Sequence, residues 1–294
     1  MRFTAWLVLL ATLVLWSGNW IVARAVRDAI SPGLATAGRL ALVVAILAPF
    51  AARGLAAKLT AFSRRDARVL LALGFAGGGL HLALQWLGVH YTTATSATLY
   101  LSTAPVFILL LAAPVLGEPI AARQWLGVAV SFCGVALIGM RGELTRLSFN
   151  VGDACALASM VLWAAYTVFL RLRRDALDMP EFLLAVCLLG LGCMLPWVAV
   201  ELALGVRLSL TAAGAAAVAY SAIASLLLAY AGWSYVVRRL GAARAGVTMH
   251  LMPAISVGLA ALFLGERPYW FHFAGAALIL SGVALASSRA RAAA

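Results

Sequence analysis

The stretch Leu116-Gly117-Glu118-Pro119 closes a long apolar run, and a close copy, Leu264-Gly265-Glu266-Arg267-Pro268, closes another. The two Gly-Glu pairs lie 148 positions apart, and at the same offset Pro105 corresponds to Pro253. From 97 to 140, 14 of 44 positions are identical to the residue 148 positions further on. Because this offset is close to half of the 294 residues, the sequence predicts one module written twice.

The composition places both modules in a membrane. Hydrophobic residues make up 65% of the chain, charged residues make up 11%, and the mean hydropathy is +1.02. A soluble domain is about half apolar and a quarter charged. Charge-free runs long enough to span a bilayer occupy 6–23, 69–89, 93–117 and 208–237. The net charge of +12 is therefore expected to orient the loops, and no nucleic-acid partner is predicted.

The predicted fold is an all-α polytopic membrane protein with ten transmembrane helices, arranged as two inverted five-helix repeats, 1–146 and 147–294. The predicted spans are 4–23, 33–51, 69–90, 94–116, 121–140, 150–170, 181–203, 211–237, 242–264 and 270–288. If the N-terminus is cytoplasmic, the inside segments carry 15 Lys and Arg and the outside segments carry 6. Positive loops stay inside, so both termini are predicted to be cytoplasmic. Because five is odd, the second module crosses upside down, as in the inverted repeats of transporters.

This doubled pattern resembles the drug/metabolite transporter superfamily, EamA-like branch. The resemblance rests on the paired Leu-Gly-Glu ends, on Pro105 and Pro253, on Arg39 in span 2 and on Trp-Ala-Ala-Tyr at 163–166. Within the branch the chain is most similar to YddG-type aromatic amino acid exporters. The resemblance implies an inner-membrane exporter of neutral and aromatic amino acids, and of related small metabolites, that works by alternating access. A rival on the same fold, a cationic-drug exporter, would be expected to use a Glu in span 1, which this sequence lacks.

Enzyme motifs are missing from the sequence: it has no His-Glu-x-x-His, Gly-x-Ser-x-Gly or phosphate loop. All ten Asp and Glu residues lie at predicted span ends or in loops, which disfavours a proton relay through a buried carboxylate. The four cysteines lie in apolar runs without zinc spacing and are expected to be buried thiols. Neither a metal nor a cofactor is predicted. Two rival classes remain, an intramembrane enzyme and a membrane scaffold without transport.

Eight side chains are predicted to line a substrate site. They are Trp16, Asn19, His81, Gln85, Tyr100, Trp163, Tyr166 and His250. The aromatic residues would pack against the apolar part of an amino acid, and the polar residues would bond to its amino and carboxylate groups. Each has an alternative role: the aromatic rings facing lipid, the His81–Gln85 pair locking two helices, and His250 acting as a packing histidine.

Five further residues are predicted to be structural. Pro105 and Pro253 would kink equivalent helices and act as hinges. Glu118 and Glu266 would accept hydrogen bonds from backbone N–H groups at the start of neighbouring helices. Arg39 is the one permanently charged side chain within a predicted span, and we interpret it as a snorkelling or carbonyl-capping residue, with an anion contact as the alternative. The expected partners are an amino acid and the lipid bilayer; the oligomeric state is not encoded in these patterns, and a monomer would suffice.

Overall fold

The computed structural model describes residues 2–117, 120–141, 149–206, 211–240 and 251–287, and within these ranges all regular structure is helical. The helices are α1 (Arg2–Ala25), α2 (Pro32–Leu59), α3 (Arg64–Tyr91), α4 (Ala94–Leu116), α5 (Ala122–Gly139), α6 (Val151–Leu170), α7 (Met179–Ala203), α8 (Ala212–Ala219, continued by Tyr220–Leu228 and Ala229–Leu240), α9 (Leu251–Leu264) and α10 (Trp270–Ser287). Helices α1 to α8 contain stretches long and apolar enough to cross a membrane, whereas α9 and α10 are shorter apolar helices in the described residues. The predicted span 242–264 begins outside the described residues.

Polar caps determine where the helices begin, and they move one boundary from its predicted place. Helix α3 starts at Arg64, ahead of the predicted 69, because Ser63 and Asp66 form a capping box around its first turn. Because this turn is charged, hydropathy alone predicts a loop there and places the start of the helix too late. The end of helix α2 also differs from the prediction: the helix ends at Leu59, whereas the predicted span ends at 51. Both helices therefore extend beyond their most apolar segments.

The repeated Leu-Gly-Glu stretch owes its glycine to backbone geometry. Gly117 and Gly265 follow α4 and α9 with φ of 72° and 65°, in the left-handed region. Residues with a Cβ are strained in this conformation, whereas glycine adopts it freely and ends a helix sharply. The same residue is needed in both modules because both helices end with the same turn.

Two long helices contain π-helical segments at equivalent positions. The segments are Gly74–Leu80 in α3 and Tyr220–Leu228 in α8. Their first residues are 146 positions apart, close to the offset of the sequence repeat. A π-helical turn is wider than an α-helical turn, which redirects the side chains on either side of it, and such segments are frequent at functional sites.

The packing of the helices is interleaved between the two modules. Helix α1 packs against α8 and α9, while its counterpart α6 packs against α3 and α4. Helix α3 packs against α7, and its counterpart α8 packs against α2. Three further contacts pair counterparts directly: α2 with α7, α4 with α9, and α5 with α10. Exchanging the two modules reproduces each of these contacts. Each module completes its packing only against helices of the other, so the two cannot be separated without exposing their inner faces.

Helices α2 and α7 are tied together at both ends. At one end the carboxylate of Glu201 accepts hydrogen bonds from the Ser31 hydroxyl and from the Gly33 backbone N–H, at 2.7 and 2.9 Å. At the other end Lys58 forms an ion pair with the mostly buried Glu181. Both carboxylates belong to α7, so this helix holds the start and the end of α2.

Candidate functional site

A cavity of about 70 Å³ lies where helices α1 to α4 meet α6, α8 and α9. Aromatic side chains on its wall are Trp16, Trp20, Trp163 and Tyr230; polar ones are Asn19, Arg39, His81, Gln85 and Ser225; aliphatic ones are Leu82, Leu101, Leu226 and Met252. No Asp or Glu is among these described residues. Pockets that hold small ligands usually have volumes of about 300–1,000 Å³. The cavity has therefore to widen before a molecule the size of an amino acid can occupy it.

A hydrogen-bonded chain joins α1, α3 and α8 at the cavity. The Asn19 side-chain amide donates to Gln85 Oε1 at 3.3 Å, and the Ser221 hydroxyl donates to Asn19 Oδ1 at 2.7 Å. Asn19 and Gln85 are both buried, so these hydrogen bonds replace the ones that their side chains would otherwise make with water. Each of these two side-chain carbonyl oxygens thus already accepts one hydrogen bond, and the Gln85 amide also carries N–H donors.

His81 links α3 to α6, and its contact fixes which ring nitrogen carries a proton. Nδ1 lies 2.7 Å from the backbone carbonyl oxygen of Ser159. A carbonyl oxygen can only accept, so Nδ1 donates, and Nε2 is the nitrogen that can accept a hydrogen bond while the ring is neutral. The imidazole also packs against Trp163, with ring centroids 5.3 Å apart. The cavity wall thus combines a hydrogen-bonding group and an aromatic face at one point.

Trp16 and Trp163, which lie 147 positions apart in the sequence, occupy corresponding places in the packing. Trp16 on α1 donates from Nε1 to the carbonyl oxygen of Ser225, in the π-helical segment of α8, at 3.1 Å, and packs edge-on against Tyr230. Trp163 on α6 packs against His81, the residue that directly follows the π-helical segment of α3. Each indole is therefore held against the other module's π-containing helix, and both line the same cavity.

Arg39 is the cation of the site. Its side chain is 1% exposed, and its Nη2 donates to the carbonyl oxygen of Leu82 at 3.0 Å. The guanidinium carbon lies 5.7 Å from the centre of the Trp86 ring. The carbonyl-capping contact predicted from the sequence is present. Snorkelling is not, because a snorkelling arginine carries its guanidinium to the membrane surface.

Three predicted site residues lie away from this wall or beyond the described chain. Tyr100 is fully buried in a hydrophobic cluster that includes Trp86 and Met160. Tyr166 is also buried: its ring stacks on that of Trp163 and lies against Gly77. His250 lies outside the described residues. A direct substrate contact for these three stays a prediction.

Comparison with known proteins assigns the chain to a family. Residues 3–140 and 150–288 each match the EamA-like transporter family. The chain belongs to the EamA-like transporter family. It is therefore a multi-pass membrane transporter, and the duplication seen in the sequence corresponds to two copies of the family's unit.

Several relatives of this EamA-like transporter carry descriptive names. An uncharacterized transporter of Archaeoglobus fulgidus is 29% identical over 96% of this chain and 97% of its own. A probable terminal-alkyne amino-acid exporter of Streptantibioticus cattleyicolor is 30% identical over 76% of this chain and 74% of its own. A probable amino-acid metabolite efflux pump of Escherichia coli K12 is 23% identical over 93% and 91%. One crystal structure is similar in fold over 98% of this chain and 97% of its own, with a TM-score of 0.58 at 22% identity.

The predicted structural residues of this EamA-like transporter are placed as follows. Glu266 accepts hydrogen bonds from the backbone N–H groups of Ala94 and Thr95, so the predicted contact with a helix start is present. In α4 a 3₁₀ turn, Leu101–Thr103, comes immediately before the α-helix that contains Pro105 at its start, so the helix changes type at this proline. Pro253 is buried near the described start of α9. Glu118 lies outside the described residues, and the hinge role of both prolines stays a prediction.

The cavity also has wall residues that the sequence did not indicate. Ser225 lines the cavity, and Ser221 donates a hydrogen bond to the wall residue Asn19. Both serines lie on the π-helical segment of α8, which no sequence pattern distinguishes from an ordinary helix. Leu82, Leu226 and Met252 are apolar residues in apolar helices, so nothing in their type marks a cavity. A small hydroxyl pair at i, i+4 inside the charge-free run 208–237 is the one signal that would have found Ser221 and Ser225.

A larger groove, of about 840 Å³, opens beside α3, α7 and the α1–α2 connection. Its wall is mostly apolar and has two carboxylates. That of Glu201 already accepts hydrogen bonds from Ser31, Gly33 and the Trp197 indole, and that of Asp28 forms an ion pair with Arg27. We therefore place the site in the smaller cavity, where polar groups of both modules converge.

In the described residues no group of three or more His, Cys, Asp or Glu could hold a metal ion. Of the four cysteines only Cys187 is buried, and Cys133 is exposed on the helix surface, contrary to the expectation of four buried thiols.

Proposed function

We propose that this EamA-like transporter exports neutral amino acids, aromatic ones among them, and related small metabolites across the inner membrane. The observation that carries the proposal is the cavity at the meeting of the two modules, with aromatic and polar walls and no acidic side chain among its described residues. An amino acid has an apolar side chain and a compact zwitterionic end. The apolar side chain would pack against Trp16 and Trp163. The amino and carboxylate groups would form hydrogen bonds with His81, Gln85 and Asn19.

The names of two relatives are consistent with this substrate class. One relative is named a probable amino-acid exporter and another a probable amino-acid metabolite efflux pump. Cations offer a poorer fit, because organic cations are commonly bound by carboxylates and the described wall contains none. The direction, export, rests on these names and on the sequence resemblance.

The transport cycle in this proposal is alternating access between two inverted five-helix modules, 1–146 and 147–294, with both termini in the cytoplasm. The split of 15 inside to 6 outside positive charges supports the orientation. The paired π-helical segments and the interleaved packing of α1 and α6 support two equivalent halves around one cavity. Equivalent halves allow the cavity to open to either face by exchanging conformations.

Flux through the purified protein tests the proposal. The full chain would be reconstituted in proteoliposomes, and counterflow measured with a panel of labelled amino acids, with and without a pH gradient. Trp163→Ala and His81→Ala are each expected to reduce flux about tenfold or more at equal reconstitution, since each removes a contact at the cavity wall. Trp125→Ala is the matched control, because Trp125 is 54% exposed on α5 and lies away from the cavity.

The outcomes separate the site from the substrate. If amino acids are transported and neither cavity variant differs from Trp125→Ala, the site is wrong. If another class of metabolite, or cationic drugs, is transported and amino acids are not, the substrate claim fails while the transporter assignment stands.

A further inference from the structure

The buried charge of Arg39 is unbalanced in the structure. Its Nε is buried without a hydrogen-bond partner, and in the described part of the chain the residue forms no ion pair. One carbonyl oxygen, that of Leu82, is the acceptor found for the guanidinium. A guanidinium has five N–H donors and cannot lose its charge, so a single neutral acceptor leaves most of its bonding capacity unmet. Arg39 lines the cavity, so an incoming molecule can supply the missing acceptors.

The other polar groups of the wall carry no negative charge. The carbonyl oxygens of Asn19 and Gln85 each already accept one hydrogen bond, from Ser221 and Asn19 respectively, and the Gln85 amide also carries N–H donors. The carbonyl oxygen of Ser225 accepts from Trp16. Neutral His81 contributes a single acceptor nitrogen. A wall with a fixed positive charge, an amide donor and no carboxylate suits a negatively charged oxygen group far better than an ammonium.

We propose that Arg39 binds the carboxylate of the transported molecule, and that this carboxylate is the group the cavity requires, whereas the amino group is dispensable. The inference deepens the proposed function and rests on it. A planar carboxylate matches the planar fork of a guanidinium, which makes charge-assisted hydrogen bonds through two donors at once. The transporter would then accept aromatic and aliphatic carboxylic acids that lack an amino group, and reject amines that lack a carboxylate.

Three compounds that share one aromatic side chain test this in counterflow of labelled phenylalanine. Phenylalanine has both charged groups, 3-phenyllactate lacks the ammonium, and phenylalaninamide lacks the carboxylate. For the wild type, 3-phenyllactate is expected to compete nearly as well as phenylalanine. Phenylalaninamide is expected to compete about 10- to 100-fold more weakly, the range expected for losing a buried hydrogen bond to a charged group. Equal competition by phenylalaninamide would overturn the proposal, and this comparison needs no variant to fold.

Variants on α2 assign the preference to Arg39. Arg39→Gln is expected to raise the half-saturating concentration of phenylalanine about 10- to 100-fold and to abolish the discrimination against the amide. Arg39→Lys, which keeps the charge, is expected to retain the preference for a carboxylate. Arg53→Gln removes an exposed positive charge from the same helix and is expected to behave as the wild type. Unchanged discrimination in correctly reconstituted Arg39→Gln would assign the carboxylate to another group and overturn the role of Arg39.

The same experiment distinguishes the two proposals. If the wild type transports no amino acid, the proposed function fails, and the carboxylate inference fails with it. If it transports phenylalanine but does not distinguish phenylalaninamide, the proposed function stands and the role of Arg39 is overturned.

Discussion

At the scale of single residues, Glu266 joins two helix ends. Its carboxylate accepts hydrogen bonds from the backbone N–H groups of Ala94 and Thr95, each at 2.9 Å, and from the Thr95 hydroxyl at 2.8 Å. These N–H groups open α4 and have no partner within the helix. The Nε of Arg24 lies 3.9 Å from the same carboxylate, and its Nη1 caps the last carbonyls of α3 at Val89 and His90. The end of α9 is thereby fixed to the start of α4.

Replacing this carboxylate is expected to destabilise the fold. Glu266→Ala leaves the opening N–H groups of α4 unpaired, and we expect a loss of about 1–2 kcal/mol in the free energy of unfolding, as for other helix caps. The measurement is thermal unfolding in detergent. Asp28→Ala is the control, because the Asp28 side chain is 80% exposed and is expected to leave the transition unchanged. Equal unfolding temperatures for Glu266→Ala and the control would show that the carboxylate does not stabilise the fold.

At the scale of elements, glycines of α5 and α10 bring the two modules into close contact. A Cβ on Gly282 would lie 2.5 Å from both the Gly127 carbonyl oxygen and the Ser131 backbone nitrogen, and a Cβ on Gly134 would lie 2.6 Å from the Gly275 carbonyl oxygen. Backbones this close leave no space for a side chain. Small residues are the usual means by which membrane helices pack, because lipid gives apolar side chains no reason to associate.

Adding one methyl group to this interface is expected to push α5 and α10 apart. Gly282→Ala should lower the free energy of unfolding by about 1–3 kcal/mol, because the backbone atoms it meets cannot move aside as a side chain could. Gly258→Ala is the control on α9, where a Cβ meets no atom within 4 Å. It is expected to be neutral or stabilising, since Ala favours a helix over Gly by about 1 kcal/mol. Thermal unfolding of both variants in detergent decides the matter: a Gly282→Ala protein as stable as Gly258→Ala would contradict the packing.

The sequence predicts these elements better than it predicts the cavity. Charge-free runs mark α1, α3, α4 and α8 because a bilayer demands about 20 apolar residues, whereas the contact of α5 with α10 is seen only in the structure. Polar and aromatic residues such as Asn19 and Trp163 could be placed at the cavity because their types are unusual inside a membrane. The apolar wall residue Met252 has no such signal. The burial of Arg39, the π-helical segments and the size of the cavity depend on how distant helices meet, which no local pattern encodes.

At the scale of the whole molecule, the interleaved packing limits how the cavity can widen. Helix α1 contacts α8 and α9, and α6 contacts α3 and α4. All six helices line the cavity, so a movement of α1 or α6 changes parts of the wall that belong to both modules. The links at both ends of α2 hold that helix to α7, so we expect these two to move together. With equivalent modules, the movement that opens one face of the membrane has a counterpart that opens the other face. This holds only if the modules cross the membrane in opposite directions.

Membrane orientation is therefore the measurement on which the transport model depends. With five crossings in each module and a cytoplasmic N-terminus, residue 146 lies outside and residue 294 lies inside. The distribution of 15 inside and 6 outside positive charges favours this assignment, because positively charged loops remain in the cytoplasm. Reporter fusions, one active only in the cytoplasm and one active only outside, would be placed after residue 146 and after residue 294. We expect opposite results at the two positions; a fusion after residue 59, at the end of α2, should report the cytoplasm and serves as the internal control. If both positions report the same side, the second module crosses the membrane an even number of times, which contradicts five crossings in each module and the inverted arrangement that this model of alternating access requires.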